Sequence, residues 1–260
     1  MKLAITGKGG VGKTTMAGLL ARLYAAGGRP VIAIDANPDA NLASSLGIPP
    51  EAAREIRPIA ELKELIEERT GAKPGAPGGY FSLTPRVDDI PERFSAKKDG
   101  IQLLVMGTVK TGGSGCMCPE SALIRNLLSH IIIGRPDVVI MDMDAGVEHL
   151  GRGTAGSVDA FIVVVEPGRR SIQTAEAVKS LAKDLGIEKC YAVGNKVRNE
   201  ADRQFIVDNL PGFELLGFLN YNASIAEADR LGVSAYDLDS KVVEEVRAIK
   251  EKLEQISSLK

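Results

Sequence analysis

The chain has 260 residues, 44% hydrophobic and 25% charged, enough to bury a full core as one large domain. Its 32 Lys+Arg against 34 Asp+Glu give a net charge of −2, so the basic footprint of a nucleic-acid binder is absent. No apolar run approaches the roughly 20 residues that cross a bilayer, the first residues enter a strand directly, and the three cysteines suit reduced thiols, so the expectation is a cytoplasmic protein without membrane or nucleic-acid partner.

Apolar runs alternate with helical periodicity, the pattern of a doubly wound α/β domain. The expected strands, in chain order, are 3–6, 30–36, 101–106, 138–141, 160–165, 190–194 and 215–219. That makes a mainly parallel sheet of about seven strands. Most are continuous apolar runs, as required when helices cover both faces. Helices are expected near 14–26, 120–133, 171–185, 200–209 and 241–257. One domain is expected over 1–260, with a terminal helix at 239–260. Residues 49–100 break the rhythm: a charged helix is expected over 51–70, then the turn-forming run Lys73-Pro74-Gly75-Ala76-Pro77-Gly78-Gly79. They read as an insertion on the rim of the sheet.

Between the first strand and first helix lies Gly7-Lys8-Gly9-Gly10-Val11-Gly12-Lys13-Thr14-Thr15. It satisfies G-x-x-x-x-G-K-[ST], and the strand–loop–helix context lets backbone N–H groups converge on phosphate oxygens. The expected ligand is a nucleoside triphosphate, held by Gly9 to Thr15. Lys13 would sit on the β/γ-phosphates, and the Thr14 hydroxyl would help hold Mg²⁺. The strand Val138-Val139-Ile140-Met141 ends in Asp142, a carboxylate suited to Mg²⁺ through water. In the following Asp144-Ala145-Gly146, the Gly146 N–H is expected beside the γ-phosphate, as a switch.

The loop K-G-G-x-G-K-T-T resembles the deviant Walker A loop of the dimerising ATPases that include MinD, nitrogenase iron protein and the arsenite pump ATPase. That resemblance implies a P-loop NTPase fold and a homodimer that closes over ATP. Lys8 would then cross to the partner's nucleotide and neutralise charge on the transferred phosphoryl group. It also implies that Asn195, followed by Lys196 at a strand end, reads the adenine edge. The first switch departs from the family. Where Asp-x-Asp-Pro is usual, this chain has Asp35-Ala36-Asn37-Pro38. An amide at Asn37, native or introduced, hydrogen-bonds a water but cannot accept its proton, so hydrolysis should be slow. Asp39 is a substitute only if it is repositioned. A second reading of Asn37 is that it shapes the turn before Pro38.

Cys116-Met117-Cys118 follows a glycine-rich run. Two thiols at i and i+2 of an extended segment lie on one side, suited to sharing a metal. A tetrahedral thiolate site needs four ligands, and a twofold dimer doubles two into four. Softness alone suggests zinc or an iron–sulfur cluster before nickel. Cys190, in an apolar strand, reads as an inert core residue. His149 is a weaker metal candidate, with a solvated or helix-capping role the alternative, and His130 is expected at the surface end of a helix.

The pair Cys116/Cys118, the run from Met141 to Thr154, Val165-Glu166-Pro167, Asn195-Lys196-Val197-Arg198-Asn199 and Tyr221-Asn222 together resemble the CooC family. These ATPases assist nickel insertion into carbon monoxide dehydrogenase, with relatives serving acetyl-CoA synthase. The resemblance implies a metallochaperone with a nickel-enzyme client and nickel or zinc at the cysteines. It departs at Asn37, and at Asn220, where proline is expected before Tyr221. The alternatives are an iron–sulfur scaffold or reductase ATPase, or a spatial regulator of the MinD or partition type.

Overall fold

The computed structural model describes residues 1–74, 80–108, 118–144 and 158–258. The strands are β1 (Lys2–Thr6), β2 (Val31–Asp35), β3 (Ala96–Lys98), β4 (Ile101–Val105), β5 (Val138–Asp142), β6 (Ala160–Val165), β7 (Cys190–Val197) and β8 (Glu214–Asn220). They form one sheet in the order β3-β4-β2-β5-β1-β6-β7-β8. Every neighbouring pair is parallel except β3 with β4.

The helices are α1 (Lys13–Ala26), α2 (Leu42–Ser45), α3 (Pro50–Arg54), α4 (Lys63–Thr70), α5 (Ile90–Phe94), α6 (Pro119–Gly134), α7 (Arg169–Asp184), α8 (Glu200–Asn209), α9 (Ala223–Leu231), α10 (Ala235–Leu238) and α11 (Ser240–Ser258). Alternate residues of each central strand face opposite layers, which explains the uninterrupted apolar runs. Leu3, Ile5, Ile140 and Ile162 pack with α1 and α11 through Met16, Leu20, Tyr24, Val242 and Val246. On the other face Ala4, Ile34, Met141 and Val163 pack with α4, α6 and α7 through Ile66, Leu127, Ile131 and Val178.

Among the described residues the sheet has eight strands, close to the number expected; the additional one is Ala96–Lys98, which pairs antiparallel with β4 across Asp99-Gly100. Both turn residues have positive φ, 46° and 80°, the conformation of a two-residue hairpin turn that matches strand twist. The single helix expected over 51–70 is broken. Pro58 disfavours helical backbone at Arg57, so α3 ends at Arg54 and α4 begins at Lys63, with one 3-10 turn at Ile59–Glu61 between them. Residues 49–100 also feed Ile59, Leu65, Ile66, Val87 and Ile90 into the core. α9 was not expected. Its signals are the Asn222 side chain accepting from Ser224 N at 2.9 Å and left-handed Gly232 after the last turn.

α11 carries Val242, Val243, Val246, Ile249 and Leu253 buried on one stripe. Asn220 at the end of β8 ties into the same helix. Its N–H donates to Glu245 Oε2 at 3.1 Å, and its side-chain amide donates to Glu245 Oε1 at 2.5 Å. A proline there would make neither bond, which accounts for the residue found. Among the described residues, no helix is long and apolar enough to cross a membrane.

Candidate nucleotide site

The carboxyl ends of β2, β5, β1, β6 and β7 lie side by side, and the chain passes from β1 through α1 to β2 on one side while β6 flanks β1 on the other. In open α/β sheets the crevice outside such strand ends is where ligands bind. The glycine loop leaves β1 there. Gly12 caps α1 with φ 96° and supplies no side-chain cap, leaving the first-turn N–H groups for an anion. A Cβ at Gly12 would run into the Asn195 amide, and one at Gly7 into the Val164 carbonyl. Glycine is required at both by contact as well as by φ.

Lys13 is buried. Its Nζ donates to the Lys8 carbonyl at 3.4 Å and lies 3.5 Å from Asp144 Oδ1. Thr14 Oγ1 donates to Asp142 Oδ2 at 2.6 Å. Asp142 Oδ1 is buried without a partner, as is Asn37 Oδ1. An orphaned carboxylate oxygen beside a threonine hydroxyl fits a hard divalent cation, so the residues present suit Mg²⁺. Burial pushes the Asp142 carboxyl up to about 7, and its neighbour Asp35 adds to the shift against the opposing Thr14 and Lys13.

Asp35, directly across from Asp142 in the register, is fully buried. It accepts from Asn37 N at 3.1 Å and Leu42 N at 2.8 Å. Burial raises its pKa against those hydrogen bonds. Asp35 thus shapes the turn into α2, a role sequence reasoning did not assign, although a carboxylate at the end of a buried strand was the available signal. Asn37 is buried too, its Nδ2 lying 3.5 Å from Asp35 Oδ1 and 3.4 Å from the Asp142 carbonyl. It therefore ties the ends of β2 and β5 together. Asp39 is exposed, its carbonyl accepting from Asn41 Nδ2 at 3.1 Å.

Asn195 packs on the loop, Nδ2 donating to the Val11 carbonyl at 2.7 Å and Oδ1 accepting from Lys196 N at 2.7 Å. One amide N–H and one lone pair remain for a base. Lys196 Nζ donates to the Gly10 carbonyl at 2.6 Å. Glu166, at the end of β6, accepts from Lys8 Nζ at 3.2 Å and from Lys196 Nζ at 3.1 Å. Burial raises the Glu166 pKa, but the two lysines outweigh it and the net shift is downward. In the sequence, Glu166 stands out only as part of a family likeness. Tyr221 is exposed beside Arg198, whose guanidinium lies 4.6 Å from the ring centroid.

Cys118 caps α6 with extended backbone, is buried, and its Sγ lies 3.1 Å from Ser121 Oγ. The 16-residue α6 returns the chain to the start of β5, so its own start lies at the carboxyl end of the sheet. Cys116, Gly146 and His149 lie outside the described residues. His130 is half-buried in the last turns of α6. Cys190 opens β7, and burial pushes its thiol up to about 11. Thus Lys8, Gly9 to Thr15, Asn37, Asp142, Asn195 and Lys196 share one end of the sheet, while Asp39 is exposed.

An Asp142→Asn substitution separates cation binding from folding. An unfolded aspartate titrates near 4 and this one near 7. Between those values the native state holds a proton that the unfolded state has lost, so stability falls as pH rises from about 4 to 7. Removing the charge is expected to stabilise the nucleotide-free chain by about 2–4 kcal/mol at pH 8 and hardly at all at pH 4. The same variant is expected to lose the Mg²⁺ dependence of ATP binding. Thermal melts in EDTA at both pH values check this; a lower melting temperature than wild type at pH 8 would sink the idea.

Comparison with known proteins agrees with this geometry. Residues 2–235 match the family model described as the CobQ/CobB/MinD/ParA nucleotide binding domain. The chain is 49% identical to the carbon monoxide dehydrogenase accessory protein CooC of Rhodospirillum rubrum, covering 96% of this chain and 94% of that one. It is 46% identical to an uncharacterised ATP-binding protein of Methanocaldococcus jannaschii, covering 96% of each. Among solved structures, the MinC:MinD cell division complex of Aquifex aeolicus superposes with a TM-score of 0.70 at 20% identity, covering 98% of this chain and 96% of that one, a likeness of fold. A P-loop cradle in the crevice of a mainly parallel sheet, matched over nearly the whole length, means that the chain belongs to the CobQ/CobB/MinD/ParA nucleotide-binding family, in the CooC-type group.

Proposed function

We propose that this chain is an accessory ATPase for maturation of a nickel enzyme, carbon monoxide dehydrogenase or acetyl-CoA synthase. In this reading it works as a homodimer that closes over ATP and gathers one nickel or zinc ion between its subunits. The observation that carries the reading is 49% identity, over nearly the full length, to a protein named for that accessory role.

The chain's own residues supply the steps. The first-turn N–H groups of α1 and Lys13 bind the phosphates and orient the γ-phosphoryl group. Thr14 and Asp142 would hold Mg²⁺, which when bound neutralises charge on the phosphate oxygens. Lys8 enters the partner's site and stabilises charge there in trans. Closure brings Cys116 and Cys118 of both subunits to one axis, where four thiolates take the metal as cargo. The start of α6 adds the positive end of a helix dipole beside a metal-bound Cys118 thiolate. A membrane-associating regulator is disfavoured, because the apolar stripe of α11 is already spent on the core.

Asn37 makes turnover the test of the catalytic part. Asn37→Asp supplies a group able to accept the proton of the attacking water, and ATP turnover is expected to rise at least about tenfold. The new carboxylate sits against Asp35, so the nucleotide-free variant is expected to lose about 1–3 kcal/mol of stability. Single-turnover hydrolysis at saturating MgATP measures the rate. An unchanged rate in a folded, ATP-bound variant would contradict the assignment of Asn37 as the limiting residue.

A further inference from the structure

We infer that Glu166 is a positioning residue that latches Lys8 inside its own subunit, so that the latch must open before Lys8 can serve a partner's nucleotide. The inference deepens the reading of Lys8 given above and rests on it.

One carboxylate spans two lysines. Glu166 Oε1 lies 3.2 Å from Lys8 Nζ and Oε2 lies 3.1 Å from Lys196 Nζ. The carboxylate is well placed to stay there. Its own backbone N–H donates to the buried Ser171 Oγ at 3.1 Å, fixing the end of β6 against the first turn of α7. Lys196 is anchored separately, through the Gly10 carbonyl at 2.6 Å. It also holds a positive φ of 57°, one of two non-glycine residues among those described to do so. Left-handed backbone at lysine costs energy, and strain of this kind persists where surrounding contacts demand it. Lys196 lies within a register shift between β7 and β8, and its ammonium reaches both the loop and Glu166.

Lys8 has no comparable anchor. It is flanked by Gly7 and Gly9, and Glu166 is the one side chain it pairs with among the described residues. Lys8 can leave without disturbing the Lys196–Glu166 pair, so one half of the clamp opens while the other stays shut. Departure then exchanges one carboxylate for the several phosphate charges of the partner's ATP, a trade available only in a closed dimer. The pair is half exposed, so each latch holds Lys8 by roughly twofold to fivefold in an equilibrium constant. Two latches open per dimer, so the wild type should associate about 4- to 25-fold more weakly than a chain without them.

Sedimentation equilibrium with Mg²⁺ and a saturating non-hydrolysable ATP analogue reads the dimer dissociation constant directly. Saturation keeps changes in nucleotide affinity out of the comparison. Glu166→Gln is expected to tighten the dimer by that 4- to 25-fold factor, an outcome opposite to simple structural damage. Glu166→Asp keeps the charge but draws the carboxylate back by one methylene, so it should tighten the dimer as well. If Glu166→Gln dimerises no better than wild type, the latch is overturned. If Glu166→Gln tightens the dimer but Glu166→Asp matches wild type, charge repulsion explains the effect and the latch is again overturned. Lys8→Ala is expected to stay monomeric. A Lys8→Ala dimer as tight as wild type overturns the reading of Lys8 itself, whereas a monomeric Lys8→Ala beside an unimproved Glu166→Gln overturns the latch alone.

Discussion

Replacing Lys13 with alanine should lower MgATP affinity at least about a hundredfold while leaving the nucleotide-free fold nearly as stable as wild type. The ammonium is buried at the start of α1, where bound phosphates would otherwise meet only backbone donors. Charge-assisted hydrogen bonds to two phosphoryl groups contribute about 1.5–3 kcal/mol each. The fold depends on Lys13 far less. Its two contacts are long, 3.4 Å to the Lys8 carbonyl and 3.5 Å to Asp144. Asp144 is itself more than half exposed, so losing its partner costs no more than about 1 kcal/mol. Calorimetric titration with MgATP and a nucleotide-free melt therefore move apart. An affinity within threefold of wild type would contradict the placement of Lys13 on the phosphates.

The second large effect is expected at the cysteines. A Cys116→Ser/Cys118→Ser chain should lose metal binding by a factor on the order of a thousand or more, because a dimer of it offers no thiolate at the shared site. ATP binding and the fold should survive. Cys118 is buried at the cap of α6, and a serine there retains a donor for Ser121 and a preferred N-cap residue. Competition with a chromophoric chelator, under anaerobic conditions and with ATP present, measures the loss. Equal metal affinity in the two chains would remove the thiolate site from the account. Cys190 serves as the internal control: burial holds its thiol up to about 11, and it opens a strand of the sheet.

The residues gathered at the candidate nucleotide site were readable from sequence because the requirements of such a motif are local. Glycine spacing, Lys13 and Thr14 are fixed by what a phosphate needs within one strand–helix junction, and Asp142 by a buried strand ending in a carboxylate. The sheet was legible for a related reason: a strand covered on both faces must be apolar throughout. β3 escaped because Ala96-Lys97-Lys98 is short and polar, as edge strands often are. Its Asp99-Gly100 turn was nevertheless a readable hairpin signal. The break at Pro58 has a local signal too, since proline disfavours helical backbone at the residue before it. What no local pattern could supply is the set of long-range pairs: Glu166 with Lys8 and Lys196, Asp35 across from Asp142, and Asn195 over the glycine loop. These join residues far apart in the chain, and only the strand order brings them together.

In the proposed function, ATP closes two subunits around one shared metal ion. Native mass spectrometry of the wild-type chain, loaded anaerobically with nickel or zinc in the presence of ATP or ADP, reads particle mass and metal content in one spectrum. A dimer carrying one metal is expected with ATP, and metal-poor monomers with ADP. Metal bound one per monomer, or a metal-loaded dimer equally abundant with either nucleotide, would contradict the proposed function.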